Sequence, residues 1–294
     1  MYSLSLGNVM IPNQILNGIQ HLDPLPVTAR KLSTMLREDK TNVQEIADVV
    51  QYDAAVTANI LRVANSAAYA GRYPIERIRD AVIRLGTENL LTIVLGEYLK
   101  VFRIAAPLYD LTEDDLYLHS AASTLMIKAM IPEMSNKVPA SASIAALLHD
   151  IGKLIMVRYM KADVSALLAL CEEKKIAFVQ AEREMFGCDH AEVGAAMARQ
   201  WGFPEEIIST IEQHHNVVPG GSGPILDAVM LANYAAKSMG IGLGAEGFNL
   251  QIDFAGSRDR LGLSIEGFER ACAQAAVWIA EQRKEMESAP KRNL

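Results

Sequence analysis

The sequence predicts an all-α fold. Apolar residues recur at helical spacing along the whole chain, helix-starting and helix-stopping residues punctuate that pattern, and no stretch alternates with the period of two that a half-buried strand requires. Half of the 294 residues are hydrophobic but only 6% are aromatic. A balance towards small and unbranched side chains favours helices, where such residues lose little rotamer freedom.

The elements follow in order. Thr41 and Gln44 form a capping-box pattern that opens VQEIADVVQ, in which Val43, Ile46, Ala47 and Val50 share one face. Asp53 is placed to cap the next segment, AAVTANILRVANSAAY. A third helix, ERIRDAVIRLG, ends at Gly86 as a left-handed terminal residue, and a fourth spans 88–103. Pro107 and the acids between Asp110 and Asp115 interrupt this block; Thr112 and Asp115 then open a long helix that stops before Pro132. Shorter helices are predicted over 140–149, 151–160 and 162–174. Asp189 and Glu192 form another capping box, ahead of AEVGAAMARQW, which Gly202 closes. Pro204 suits the first position of EEIISTIEQHH. Helices over 224–239 and 264–286 complete the chain, the Gly-rich stretch 240–262 is read as a loop, and the tail SAPKRNL as frayed.

The formal charge of −7 argues against a generic nucleic-acid binder, which would carry a basic field. Cys171, Cys188 and Cys272 are widely spaced and odd in number, as free thiols in a reducing cytoplasm would be. The opening MYSLSLGNVMIPNQ has neither the charged start nor the apolar stretch of a secretion signal. No apolar run approaches the roughly 20 residues of a membrane span. The expectation is a cytoplasmic protein away from membranes.

Chemistry concentrates in the middle. Five of the six histidines, His119, His149, His190, His214 and His215, fall within about a hundred residues. His149 and Asp150 are adjacent in ALLHDIGKL, where an apolar helix delivers an imidazole and a carboxylate together and Gly152 is expected to let the chain turn tightly. That pairing suits iron, manganese or zinc. A lone histidine near a core is more often a satisfied polar residue than a ligand; an HD pair flanked by three further histidine sites shifts the balance.

These residues carry a resemblance. LLHDIGK resembles the core signature of the HD phosphohydrolase superfamily, and LPVTARKL, QYDAAVTANILRVANSAAY and IERIRDAVIRLG resemble, in that order, the pattern of the HDOD family. The matching positions are Leu25-Pro26, Asp53, Thr57, Ala64-Asn65-Ser66 and Ala81 through Leu85-Gly86, and the resemblance runs from about residue 20 to about 240. It implies an HDOD fold in which an N-terminal helical lobe, residues 1–108, packs on an HD-like helical lobe, residues 109–294, as one unit.

Many HDOD proteins lack the metal-binding residues of the HD superfamily; this chain departs from that loss. Against the related HD-GYP phosphodiesterases, Asp115 stands four residues before His119, where those enzymes place a glutamate. His149, Asp150, His190, His214 and His215 match their histidines and bridging acid, and Lys153 matches the lysine that follows. Asn233 stands where they carry the last acidic ligand, and NVVPGGSGP replaces the Gly-Tyr-Pro stretch.

The resemblance thus implies one or two divalent transition-metal ions, with iron or manganese favoured and zinc the further candidate. Asp150 would bridge them, Lys153 would offset charge on a phosphate oxygen, and Glu212 or Asp189 would accept from an imidazole behind the site. It also implies a regulatory role in signal transduction through a protein partner. The alternative is a metal-dependent phosphohydrolase acting on a nucleotide, a cyclic nucleotide or another small phosphorylated ligand.

Weaker signals have plainer readings. Gly242, Gly244 and Gly247 spell G-x-G-x-x-G but follow a helix rather than a strand, so a dinucleotide site is not indicated. Cys188, two residues before His190, reads as a buried thiol. Arg77, Arg79 and Arg84 read as an exposed helix face, and Met126, Met130 and Met134 as packing. Asn65 and Ser66 read as fasteners of a helix end, covered by Tyr69.

Overall fold

The chain is represented by a computed structural model that describes residues 11–21, 25–37, 42–51, 53–69, 71–100, 105–112, 114–160, 164–216, 223–247 and 253–288. Its helices are α1 (Asn13–Gln20), α2 (Val27–Arg37), α3 (Val43–Gln51), α4 (Ala54–Ala64), α5 (Ile78–Leu99), α6 (Asp115–Met130), α7 (Ser141–Leu148) and α8 (Gly152–Tyr159). They continue with α9 (Val164–Lys174), α10 (Phe178–Phe186), α11 (His190–Gln200), α12 (Glu205–Gln213), α13 (Pro224–Ser238), α14 (Phe254–Leu261) and α15 (Ile265–Ser288). Among the described residues there is no strand, only isolated bridges between Ala106 and Leu111 and between Met134 and Leu263. The fold is all-α.

In the N-terminal lobe α2, α3 and α4 pack around α5. Asn42 caps α3, its Oδ1 accepting from the amides of Gln44 and Glu45 at 2.9 and 3.4 Å; Thr41, expected in that role, lies outside the described residues. Asp53 caps α4 through the amides of Ala55 and Val56, each at 3.0 Å. Gly86 (φ 73°, ψ 166°) breaks α5, so the third and fourth predicted helices abut there without a linker. Residues 101–103 of the fourth lie outside the described residues. Asn65 fastens the end of α4 by donating to Leu61 O and Ile75 O and accepting from Ile75 N at 2.8 Å. Arg84 does not stand on a free face: its guanidinium donates to Ala64 O and Tyr73 O and ties the same junction.

In the second lobe α6 packs against α7, α13 and α15, while α11 packs against α8 and α12. Contacts between α5 and α7 join the lobes, and α1 lies on α8 and α11. A single cluster of buried side chains runs from Ile15 to Met286, so both lobes share one core. Met126 and Met130 are buried in it, Met134 packs at its edge, and Cys188 is a buried free thiol. No described helix is long and apolar enough to cross a membrane.

Some elements depart from expectation. Helix α14 forms inside the stretch read as a loop; only Ser257 and Leu261 are buried on it, so it presents no apolar stripe. It is held instead by the Asp253 cap and by Arg260, which pairs with Asp227 at 2.7 Å. Helices α1, α2 and α10 also form where none was read. On α10 one of the three buried positions is the acid Glu182, which interrupts the apolar periodicity. The predicted tail lies outside the described residues beyond Ser288.

Gly152 serves close approach rather than a tight turn. It begins α8 without a positive φ. A Cβ there would collide with the His190 carbonyl oxygen and lie 2.6 Å from Gly194 N. Glycine at this position lets α8 touch the backbone of α11.

Candidate metal centre

Three helix ends deliver four of the five clustered histidines to one place. His149 follows α7, whose eight residues are all buried, and Asp150 follows it before α8 begins. His190 is the first residue of α11, whose start is fixed by the Asp189 and Glu192 capping box. His214 and His215 follow α12. His119 enters from the second turn of α6. His119, His149, Asp150, His190 and His214 are each 2% exposed or less, and His215 is partly exposed.

The donors form two groups that share Asp150: His119, His149 and Asp150, and Asp150, His190, His214 and His215, with the donor atoms in each group within 4.8 Å of one another. Asp150 turns one oxygen to each group. Its Oδ2 lies 3.7 Å from His119 Nε2 and 3.5 Å from His149 Nε2, while Oδ1 lies 3.3 Å from His190 Nε2 and 3.5 Å from His214 Nε2.

The tautomers follow from what stands behind each ring. His119 Nδ1 lies 3.0 Å from Ile241 O, His149 Nδ1 2.8 Å from Ala146 O, and His214 Nδ1 2.7 Å from Ile211 O. A carbonyl can only accept, so Nδ1 carries the proton and the Nε2 lone pair faces the cluster. His119 Nε2 and His149 Nε2 are 3.2 Å apart, which brings two lone pairs face to face, and His214 Nε2 has no hydrogen-bond partner. Burial, outweighing the pull of Asp150, holds the His119 pKa down at about 4 and that of His149 well below the ordinary range. Burial does the same to His215, aided by the neighbouring imidazoles.

His190 differs. Burial opposes its charge, but Glu182 prevails and raises the ring to about 10. The Glu182 carboxylate accepts from His190 Nδ1 at 2.7 Å and from the Tyr109 hydroxyl at 2.6 Å. His190 Nε2 lies 2.9 Å from His215 Nε2, so one proton sits where a cation would replace it. The Asp150 carboxyl stays well below its usual range because the Lys153 ammonium overcomes the cost of burial.

Inward-facing lone pairs, an anionic oxygen turned to each group and donor spacings near 3 Å fit a metal ion. A metal–nitrogen bond of about 2.1 Å at roughly right-angle to tetrahedral geometry sets ligating nitrogens about 3.0–3.4 Å apart. The orphaned His214 Nε2 and the facing pair of His119 and His149 are unfavourable without a cation between them.

The structure does not bring all the candidate ligands to this cluster. Asp115 is not part of either donor group. Its Oδ2 instead accepts from the backbone amide and hydroxyl of Thr112, at 2.7 and 2.6 Å, just ahead of α6. Asn233 is buried on α13 with its Oδ1 unpaired; that helix packs on α6, α7 and α12, the elements that bring His119, His149 and His214. Lys153 is buried beside Asp150, 2.9 Å from its Oδ2. Neither acid expected behind an imidazole is there: Glu212 pairs with Arg199, and Asp189 with Arg183, each at 2.7 Å.

Sequence reasoning missed Glu182 and Glu246. Glu246 lies 2.8 Å from Lys153, 2.7 Å from Lys237 and 3.9 Å from His190 Nδ1. It comes from the Gly-rich loop 240–247, which also supplies Ile241 O to His119 and bonds Ala245 N to Tyr109 O at 2.7 Å. A Cβ on Gly242 (φ 67°) would stand 2.6 Å from the His119 ring, which accounts for glycine there. A cleft lined by Leu99, Leu116, Tyr117, Ser120, Ile151 and Leu154 reaches Asp150 from outside.

The family model described as HDOD domain matches residues 22–217. A solved HDOD domain protein of unknown function from Geobacter sulfurreducens is similar at 27% identity and a TM-score of 0.70, covering 94% of this chain and 95% of its own. A Shewanella amazonensis structure, provisionally designated a metal-dependent phosphohydrolase, has a TM-score of 0.59 over 90% of this chain and 96% of its own; at 19% identity that likeness is one of fold. An uncharacterized protein of Treponema pallidum is 23% identical over 229 residues, or 76% of this chain, which spans only 44% of that relative's length.

Proposed function

This chain belongs to the HDOD domain family, and from that premise we propose that it is a regulatory protein of signal transduction, holding a divalent transition metal in its His/Asp cluster and acting through a protein partner. The observation that carries the metal is the turning of buried imidazole lone pairs onto one carboxylate, Asp150. His119, His149, His190, His214 and His215 are the nitrogen ligands, and Asp150 is shared. Two donor groups accommodate one ion or two, and mixed imidazole and carboxylate donors favour iron or manganese, with zinc the further candidate. An ion held by these residues would supply a Lewis acid, and its ligands come from α6 and from the ends of α7, α11 and α12.

Burial favours regulation over turnover. His119, His149, Asp150, His190 and His214 are each exposed by 2% or less, which leaves little open face for a nucleotide in this state, and Asn233 stands where the related enzymes carry an acid. The second reading, a metal-dependent phosphohydrolase acting on a nucleotide or cyclic nucleotide, is favoured by the cleft that reaches Asp150 and by Lys153 beside it.

The test is an assay of iron- or manganese-loaded protein against p-nitrophenyl phosphate, bis-p-nitrophenyl phosphate and cyclic nucleotides. We expect bound metal without turnover. Turnover that disappears in His149→Ala would replace the regulatory reading with the enzymatic one.

Glu182 gives a separate prediction. Its carboxylate orients His190, and an outer acceptor of this kind contributes about 10–100-fold to metal affinity. Glu182→Gln should weaken metal binding by about that factor in a chelator competition while leaving the helical spectrum intact; unchanged affinity would place His190 outside the ligand set.

A further inference from the structure

Beside the cluster two ammonium groups are buried, Lys153 at 2% exposure on α8 and Lys237 at 1% on α13. A buried charge is costly unless it is paired. Glu246 meets both: its Oε1 lies 2.8 Å from Lys153 Nζ and its Oε2 2.7 Å from Lys237 Nζ. Lys153 also reaches Asp150, which a metal would engage. One carboxylate, with an oxygen on each lysine, therefore balances the pair.

The elements that hold these three charges differ in kind. The lysines stand on helices packed into the core. Glu246 stands on the loop 240–247, where Gly240, Gly242, Gly244 and Gly247 all have positive φ, between 47° and 77°. At 8% exposure it is also the one of the three nearest to solvent. Two ammonium groups spanned by the two oxygens of one carboxylate match the way a phosphate group presents two oxygens to two cations. The counter-anion, on a loop, is the part most easily exchanged.

We propose that Lys153 and Lys237 form a seat for the phosphate group of a ligand, and that Glu246 is the resident counter-anion that a phosphate displaces as loop 240–247 lifts. The proposal rests on the reading of this cluster as the working site of the chain, and it adds Lys237 as the second cation and Glu246 as the group that guards entry. Lifting the loop withdraws Ile241 O from His119 Nδ1, so occupancy of the seat alters the orientation of a metal ligand. Phosphate binding and metal binding are thereby coupled.

The test uses the full chain, metal-free and metal-loaded, with inorganic phosphate as the probe and chloride at matched ionic strength as the control. In metal-free protein Glu246→Gln should melt below wild type in chloride and recover most of that loss in phosphate. Its phosphate affinity by calorimetry should exceed that of wild type by about tenfold or more, and Glu246→Gln/Lys237→Met should lose that gain. In wild type, saturating phosphate should speed hydrogen exchange of the Ala245 amide, which the closed loop bonds to Tyr109 O.

Equal phosphate responses in wild type and Glu246→Gln, or a double variant that keeps the gain, would overturn the seat. Should Glu246→Gln fail to fold, the wild-type exchange decides: an Ala245 amide unmoved at every phosphate concentration overturns the proposal. The two readings separate cleanly. Phosphate binding by a protein that takes up no metal removes the metal reading and keeps the seat; metal uptake without any phosphate response by the metal-free variants does the reverse.

Discussion

Asp150→Ala is expected to strip the cluster of metal, leaving less than about a tenth of the wild-type content after desalting, because this substitution removes a ligand from both donor groups at once. His149→Ala removes a ligand from one group only and should also lose most of the metal, with any residue held by His190, His214 and His215. The change at Asp150 carries a second effect. Lys153 is 2% exposed and shares its charge between Asp150 and Glu246, and removing one partner of a buried pair costs about 3–5 kcal/mol. Asp150→Asn separates the two contributions: it keeps the side-chain volume and should lose metal as completely while melting closer to wild type. Elemental analysis and thermal melts of the three variants read both effects. Wild-type metal content in Asp150→Ala would remove Asp150 from the ligand set.

Gly152→Ala is expected to rank with the most damaging glycine-to-alanine changes among the described residues. The added Cβ meets backbone, the His190 carbonyl and Gly194 N at 2.6 Å, rather than the flexible end of a side chain. Overpacking of a tight interface costs about 1–3 kcal/mol and more when backbone must move, so a loss of about 3 kcal/mol or more is expected. In a chain of this size that lowers the melting temperature by roughly 6–12 °C. The displaced element is the start of α11, so His190 shifts with it and metal affinity should fall as well. A melt within a degree of wild type would mean that α8 and α11 are not in the close contact described.

Much of the fold was legible in the sequence because its signals are local. Asp53 and the Asp189–Glu192 box mark helix starts, and Gly86 marks a break, through hydrogen bonds and dihedral preferences that reach only a few residues. The HD pair and the other four histidines were legible as chemistry through residue type and the resemblance to the HD superfamily, while their meeting around Asp150 is a product of tertiary packing. Asp115 was misleading because the same acid satisfies two patterns, a ligand one turn before His119 and the reach-back member of a cap. Local bonding to Thr112 takes it.

What stayed hidden depends on tertiary contact. Glu182 sits on a helix whose stripe it breaks, and only the arrival of Tyr109 and His190 gives its burial a purpose. Glu246 lies in a glycine-rich stretch that reads as a bland loop, and its partners Lys153 and Lys237 are 93 and 9 residues away. Gly152 could be expected to matter, but its role as a contact surface for α11 is invisible until the helices are packed.

The metal stoichiometry of the wild-type chain, purified without chelator from cells supplied with iron, manganese and zinc, tests the central claim most directly. The account predicts at least about one transition-metal ion per chain that survives desalting and is lost on acidification, since protonation of the imidazole ligands releases the ion. A chain that is metal-free under every supply, at less than about a tenth of an ion per molecule, would contradict it.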